Sequence, residues 1–401
     1  MGETFSFLPG RIHMKTYFKG EYMRATSWKT VAWIGVFLLL VFALSIYAQL
    51  ELPAPGGPYA VGRTNLKWVD AFRLEVLTEN PDDSREVAAL VWYPAEPGTG
   101  VNVGYFPGLS SVTNALVESG ELEAWEVFGL RFVRSDSRLD ANPVTTEDPF
   151  PLVIFSPGNG TNIEFYSSLA GEIASHGYIV VGLNHPYDVP AVQLSSGDVA
   201  PYDRDQWFLD AEAHQAYSKE RIKARTADML FALEQLAAMN SNGPFAGLMD
   251  LDSIAAAGHS LGGITASEAC KADKRFKACL NFDGLQQGGP FSMEETAIPP
   301  AQPFLFLTKE SQLHTALIEK FESMSESYWV VVHGATHQSF TDGQLLQPAL
   351  LPGPNRADRW MDLIQQYSLA FLDQTLKGVS DPVLSKTVEA EDISVRIFPT
   401  H

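Results

Sequence analysis

The chain has 401 residues, 45% of them hydrophobic, which is ample for a large core. Its formal net charge of −20 at pH 7 leaves nothing to neutralise a row of phosphates, so a nucleic-acid partner is excluded. Purely electrostatic docking to anionic lipid is disfavoured for the same reason.

The charge is uneven from the start. Residues 1–50 carry five Lys/Arg (Arg11, Lys15, Lys19, Arg24 and Lys29) and two Asp/Glu, so 1–29 is a short basic segment. Residues 30–50, between Lys29 and Glu51, carry no charge. As a helix they would extend about 31 Å, the thickness of a bilayer core. Trp28, Trp33 and Tyr47 lie near the ends, where interfacial aromatics belong. The expectation is a transmembrane anchor with the bulk of the chain outside the cytoplasm. The alternative is a cleaved signal peptide and a secreted or periplasmic protein, although Ile46-Tyr47-Ala48 is a poor small-x-small cleavage site.

"ELPAPGGPYAVG" (51–62) is rich in Pro and Gly and reads as a linker. Strand-like and helix-like stretches then alternate. "REVAALVWYP" (85–94) and "FPLVIFSPGNG" (150–160) read as strands, the second ending in a glycine-rich loop. A helix is expected over 162–176. "YIVVGLNHP" (178–186) is a near-continuous apolar run, as a strand buried on both faces requires. After a polar, aromatic stretch (187–209), a long helix is expected over 210–240. Ile222, Thr226, Met229, Leu233 and Leu236 recur at spacings of four and three along it. "SIAAAGHS" (253–260), "KACLNFDG" (277–284), "QPFLFLTKE" (302–310) and "SYWVVVHGATH" (327–337) supply further strands, with a helix over 261–271. Trp360, Leu363, Ile364, Tyr367 and Phe371 stripe a final helix that Gly378 can stop. No repeat of 20 to 50 residues recurs. The alternation predicts an α/β fold: one mainly parallel sheet with helices on both faces. Cys270 and Cys279 are the two cysteines, and either a disulfide or two buried thiols suits them.

In such a sheet, functional groups gather at the carboxyl ends of the strands. Gly258-His259-Ser260-Leu261-Gly262 follows a predicted strand and opens a predicted helix. Gly-x-Ser-x-Gly in that setting is the nucleophile elbow of α/β hydrolases, with Ser260 as the nucleophile. The partners should follow in the order acid, then histidine. Nine histidines occur. His337 ends the last strong strand and is the expected base. His185 also ends a strand but precedes the serine by a long way. His333 lies inside a strand, where a structural role is expected. Asp283 in "LNFDG" and Glu310 in "FLTKE" both end strands, so both are candidate acids. Asp283 is favoured, because Gly284 follows it in a tight turn, whereas Glu310 runs into a polar helix start. The amides of Leu261 and Asn159 are the expected oxyanion donors, the second in a loop flanked by Gly158 and Gly160. "LLQPALLPGP" (345–354) is expected to form an apolar wall beside the site, through Leu350 and Leu351 among others. No His-Glu-x-x-His or Cys-x-x-Cys spacing occurs, so no metal or other cofactor is expected.

These pieces, in this order, resemble the plasma-type platelet-activating-factor acetylhydrolase family of α/β-hydrolase serine esterases. "GPYAVG", "PLVIFSPGNG", "FYSSLAGEIASHGYIVVGLNHP", "GHSLGG", "NFDG" 23 residues after the serine, and "HQSF" carry the likeness over about residues 55–375. It implies Ser260, Asp283 and His337 as a triad and Asn159 and Leu261 as oxyanion donors. It further implies hydrolysis of short or oxidised acyl groups of phospholipids. One departure is the loop Pro157-Gly158-Asn159-Gly160, where the family usually has His-Gly and then an apolar residue. A general carboxylesterase, a cutinase-like polyester hydrolase and a non-catalytic binding module on the same fold are the alternatives. The expected layout is a catalytic domain over 55–380 and a C-terminal extension over 381–401.

Overall fold

Six strands lie side by side and parallel at the centre of the sheet, and most of their residues are buried, as coverage on both faces requires. The computed structural model describes residues 28–49, 51–120, 122–284, 300–309, 322, 324, 326–346 and 357–398. Its strands, in chain order, are β1 (Ala60–Leu74), β2 (Ser84–Ala95), β3 (Val101–Asn102), β4 (Arg138–Leu139), β5 (Phe150–Ser156), β6 (Ile179–Asn184), β7 (Ala191–Gln193) and β8 (Val199–Pro201). They continue with β9 (Met249–His259), β10 (Phe276–Phe282), β11 (Phe304–Lys309), β12 (Ser327–Val332), β13 (Val388–Glu389) and β14 (Ile393–Phe398). Twelve of them form one sheet in the order β13-β14-β12-β11-β10-β9-β5-β6-β2-β1-β4-β3, and β7 and β8 form a separate pair. The run β6-β5-β9-β10-β11-β12 is parallel throughout. Antiparallel β2 flanks it on one side and β14 on the other.

The helices are α1 (Trp28–Gln49), α2 (Leu109–Glu118), α3 (Ala124–Leu130), α4 (Ser167–Ser175), α5 (Ala211–Ser241), α6 (Leu261–Ala272) and α7 (Ala357–Leu376). Leu169 and Ile173 of α4 and Leu363, Ile364 and Phe371 of α7 pack with Val153, Leu280 and Val330 on one face of the sheet. Met229, Leu233 and Leu236 of α5 and Ala266 and Ala269 of α6 pack with Ile154, Ala256 and Cys279 on the other. The expected α/β-hydrolase architecture, with a mainly parallel sheet and helices on both faces, is what the chain adopts.

Three segments differ from expectation. Residues 60–62 of the expected linker already belong to β1, and its Gly57 amide donates to Ser175 Oγ at 3.0 Å. β1 alternates in burial and pairs antiparallel with β2, so it reads as a half-exposed outer strand rather than an apolar run. The expected extension 381–401 supplies β13 and β14, and Val395 of β14 is fully buried against the same core. The third is the anchor. Residues 28–49 are helical, as α1, yet among the described residues no helix is long and apolar enough to cross a membrane. The chain divides into two units between Ile46 and Tyr47. The basic segment up to residue 27 lies outside the described residues.

Candidate active site

β9 ends at His259, and the next residue reverses the chain into α6. Ser260 makes that turn with φ 54° and ψ −122°, a region that costs a non-glycine residue energy. Two neighbours make the turn possible. The Ser260 amide donates to Phe282 O at 2.8 Å, and Gly262 lets α6 press on the preceding loop. A Cβ at Gly262 would lie 2.0 Å from Ser156 O and 2.4 Å from Pro157 O, so only glycine fits. The hydroxyl-bearing residue is thereby held, half-buried, at the N-terminus of α6. The Leu261 amide is the first in that helix, where an N–H has no intrahelical acceptor.

Asp283 directly follows β10, the neighbour of β9, and Phe282 pairs in register with His259. Its own φ is 50°, and its amide donates to Leu307 O at 2.8 Å. His337 lies two strands further on, opening a short 3₁₀ turn (His337–Phe340) beyond β12. Its Nδ1 meets Asp283 Oδ2 at 2.5 Å, a short hydrogen bond to a carboxylate oxygen. Asp283 is 4% exposed, so little water competes for that oxygen. Lys309, the last residue of β11, adds a cation 3.8 Å from the same carboxylate oxygen. The His259 ring supports His337 at 4.6 Å between centroids and stacks on Phe340. Burial, and then the neighbouring His337, hold the His259 imidazole well below its ordinary pKa, so it is a neutral packing surface.

The turn carrying His337 is tied down by Asp342. The Asp342 amide donates to Phe165 O at 2.7 Å, and its carboxyl accepts from Tyr105 Oη and from the Ser168 amide. Burial raises this carboxyl to about 7. Between about pH 4 and 7 the unfolded chain has released this proton and the folded chain still holds it. Asp342 therefore contributes stability below pH 4 that is lost as pH rises towards 7. For Asp342→Asn, the unfolding free energy measured against wild type is expected to rise from pH 4 to 7 and level off above. A difference that does not vary with pH would refute the assignment.

The loop after β5 approaches the serine from the other side. A Cβ at Gly158 would sit 3.6 Å from Ser260 Cβ. The Gly158 amide donates to Tyr166 Oη at 3.0 Å and the Gly160 amide to Asp188 O at 3.0 Å. Asn159 lies between them, its side-chain Nδ2 donating to Gln206 Oε1 at 2.8 Å. The structure thus brings Asn159, Ser260 and Leu261 to one edge of the sheet, beside the Asp283–His337 pair. Glu310, Leu350 and Leu351 lie outside the described residues.

Beneath this loop lies a buried polar cluster that no motif in the chain announces. Ser156 Oγ contacts His185 Nε2 at 2.9 Å, and His185 Nδ1 contacts Asp228 Oδ2 at 2.7 Å. Arg85 grips Asp228 through two nitrogens, and Arg221 grips Asp188 in the same way at 2.7 and 2.8 Å. Burial pushes the His185 imidazole down to about 4, with Arg225 adding to the shift. Burial alone would raise the Asp228 carboxyl, but Arg85 outweighs it and holds the group ionised. Deleting one partner of such a pair would strand a buried charge, at about 3–5 kcal/mol. The available signal was Arg221 and Arg225, four residues apart beside the apolar stripe of α5.

Comparison with known proteins agrees with this architecture. The sequence profile described as platelet-activating factor acetylhydrolase, isoform II, matches residues 44–386. The chain is 27% identical over 370 residues to a platelet-activating factor acetylhydrolase of Cavia porcellus, covering 83% of this chain and 80% of that protein. It is 26% identical over 280 residues to a probable 1-alkyl-2-acetylglycerophosphocholine esterase of Arthroderma benhamiae, covering 66% of each. Among solved structures, a ferulic acid esterase from Streptomyces cinnamoneus is similar with a TM-score of 0.68 and 26% identity, over 86% of this chain and 98% of that one. With the family profile spanning the β1-to-α7 body and its strand-end serine, the chain belongs to the platelet-activating factor acetylhydrolase, isoform II, family of ester hydrolases.

Proposed function

We propose that Ser260 is the nucleophile, His337 the general base and Asp283 its orienting acid in hydrolysis of a carboxylic ester. His337 Nε2 takes the Ser260 proton as Oγ attacks the carbonyl carbon. The amides of Asn159 and Leu261 hold the oxygen that becomes negative. The imidazolium then gives its proton to the departing alcohol, leaving an acyl-serine. Water, deprotonated by the same imidazole, releases the acid and restores the serine. The observation that carries this reading is the 2.5 Å Asp283–His337 contact at strand ends on the side where Ser260 makes its strained turn.

The favoured substrate is a phospholipid with a short acyl group at the sn-2 position, such as an acetylated ether phospholipid. It is supported by the names of the acetylhydrolase relatives. The structural likeness to a ferulic acid esterase keeps a general carboxylesterase as the second reading. A panel of acetylated ether phospholipid, long-chain phospholipid, nitrophenyl acetate and methyl ferulate separates them by kcat/KM. The acetylated phospholipid should lead. A lead for methyl ferulate would transfer the function to the second reading.

The catalytic unit is further proposed to work outside the cytoplasm. The basic residues ahead of an uncharged stretch support export. So does the Cys270–Cys279 disulfide, which joins α6 to β10 and needs an oxidising compartment. The segment 30–50 then serves as a leader for export. A chain beginning at Glu51 is expected to be soluble and fully active on nitrophenyl acetate. Loss of activity on that truncation would show that the helix belongs to the catalytic unit.

A further inference from the structure

We infer that Arg225 is a positioning residue for the oxyanion donor: it fixes the Pro157–Gly158 peptide and so aims the Asn159 N–H. The inference rests on the proposed role of that amide. Arg225 lies on α5 and is fully buried. Its Nη2 donates to Pro157 O at 2.6 Å. The N–H of the same peptide, on Gly158, donates to Tyr166 Oη at 3.0 Å. Tyr166 Oη is fixed in turn by His259 Nδ1 at 2.8 Å. One peptide plane is thus gripped at both ends, by a cation on its oxygen and a phenol on its nitrogen. The next peptide carries the Asn159 N–H, and the one after it is pinned through Gly160 N to Asp188 O. With both flanking planes fixed, the orientation of the Asn159 amide has little freedom left.

The chemistry of Arg225 argues for a task beyond packing. Among the described residues its Nε and Nη1, both buried, have no hydrogen-bond partner. A buried guanidinium with one hydrogen bond is an expensive way to fill space that Met or Leu would fill without penalty. Arg221, one turn earlier, instead spends two nitrogens on Asp188. The single bond Arg225 makes goes to the carbonyl two residues from the proposed donor. Burial works against its charge more than Asp188 and Asp228 support it at longer range, and among the described residues it has no ion pair of its own.

The test compares Arg225→Met, Arg225→Lys and Tyr166→Phe with wild type on nitrophenyl acetate. Active sites are counted by stoichiometric labelling with a nitrophenyl phosphonate, so unfolded protein does not enter kcat. A misplaced oxyanion donor should lower kcat per labelled site by about 10- to 100-fold in Arg225→Met, with KM within about threefold of wild type. Arg225→Lys keeps a donor for Pro157 O and should recover most of kcat. Tyr166→Phe releases the other end of the peptide and should show the same kcat-specific loss, which keeps the test decisive if Arg225→Met does not fold. A wild-type kcat per labelled site in either Arg225→Met or Tyr166→Phe would overturn the inference. So would Arg225→Lys falling as far as Arg225→Met. Wild type that takes up no phosphonate at Ser260 would instead remove the nucleophile assignment, and this inference with it.

Discussion

Ser260→Ala is expected to lower kcat for ester hydrolysis by about 10⁴-fold or more. Ser156, in the neighbouring strand, cannot take its place, because it is fully buried and already bonded to His185. Without Oγ no acyl-enzyme forms, and the base must activate water in a site shaped for a serine. What remains is the contribution of the proposed oxyanion amides and of substrate binding, which do not depend on that oxygen. The substitution should leave the fold alone. Alanine meets the same strain at φ 54° as serine does, and the anchoring bond from the residue 260 amide to Phe282 O is a backbone bond. The unfolding midpoint should therefore shift little while turnover collapses. Two measurements check this: steady-state kinetics on nitrophenyl acetate, and intact mass after phosphonate treatment, where wild type should gain one adduct and the variant none. A variant that keeps a tenth of wild-type turnover would sink the assignment.

How much of this site was legible in the sequence depended on whether each residue sits in a pattern with a physical cause. Ser260 was legible because Gly258 and Gly262 at fixed offsets, between an apolar strand and a helix, mark a turn that only close backbone approach explains. β5, β6 and β9 were legible as runs buried on both faces. β1 was not, since it alternates exposed and buried residues and holds a fully buried Arg63 that bonds the carbonyls of Gly104 and Tyr105. β14 was missed for a similar reason: its alternation of Ile393 and Val395 with polar residues follows an acidic stretch that reads as a tail. The cluster of Arg85, Arg221 and Arg225 was missed because arginine is seldom fully buried, so the four-residue spacing of Arg221 and Arg225 on a long polar helix reads as a solvated face. The fate of Cys270 and Cys279 was open in the sequence for lack of a distance, and the adjacency of α6 and β10 supplies it.

Asp283→Asn is expected to cut kcat by about 10⁴-fold with the fold intact, whereas Glu310→Gln should change it little. The reason lies in what an asparagine presents to His337. Asp283 Oδ2 accepts from Nδ1 at 2.5 Å, which leaves Nε2 unprotonated and able to take the serine proton. In the Asp283→Asn variant one carboxylate oxygen is replaced by an NH₂ donor. The other oxygen, Oδ1, already receives the Lys309 amide at 3.4 Å, so the retained carbonyl has a reason to stay there and the NH₂ faces the ring. Two donors then meet, and the imidazole relieves the clash by moving its proton to Nε2. In that tautomer it donates to Ser260 and cannot deprotonate it. The loss of the carboxylate also removes the negative charge that stabilises the imidazolium in the transition state, beside a Lys309 cation that stays. Both effects fall on kcat, so KM should hold within a few fold. Phosphonate labelling of Ser260 should slow in parallel, because it uses the same proton transfer. If Glu310→Gln proves the more damaging change, the acid follows β11 rather than β10, and the Asp283–His337 contact would be left with a structural role alone.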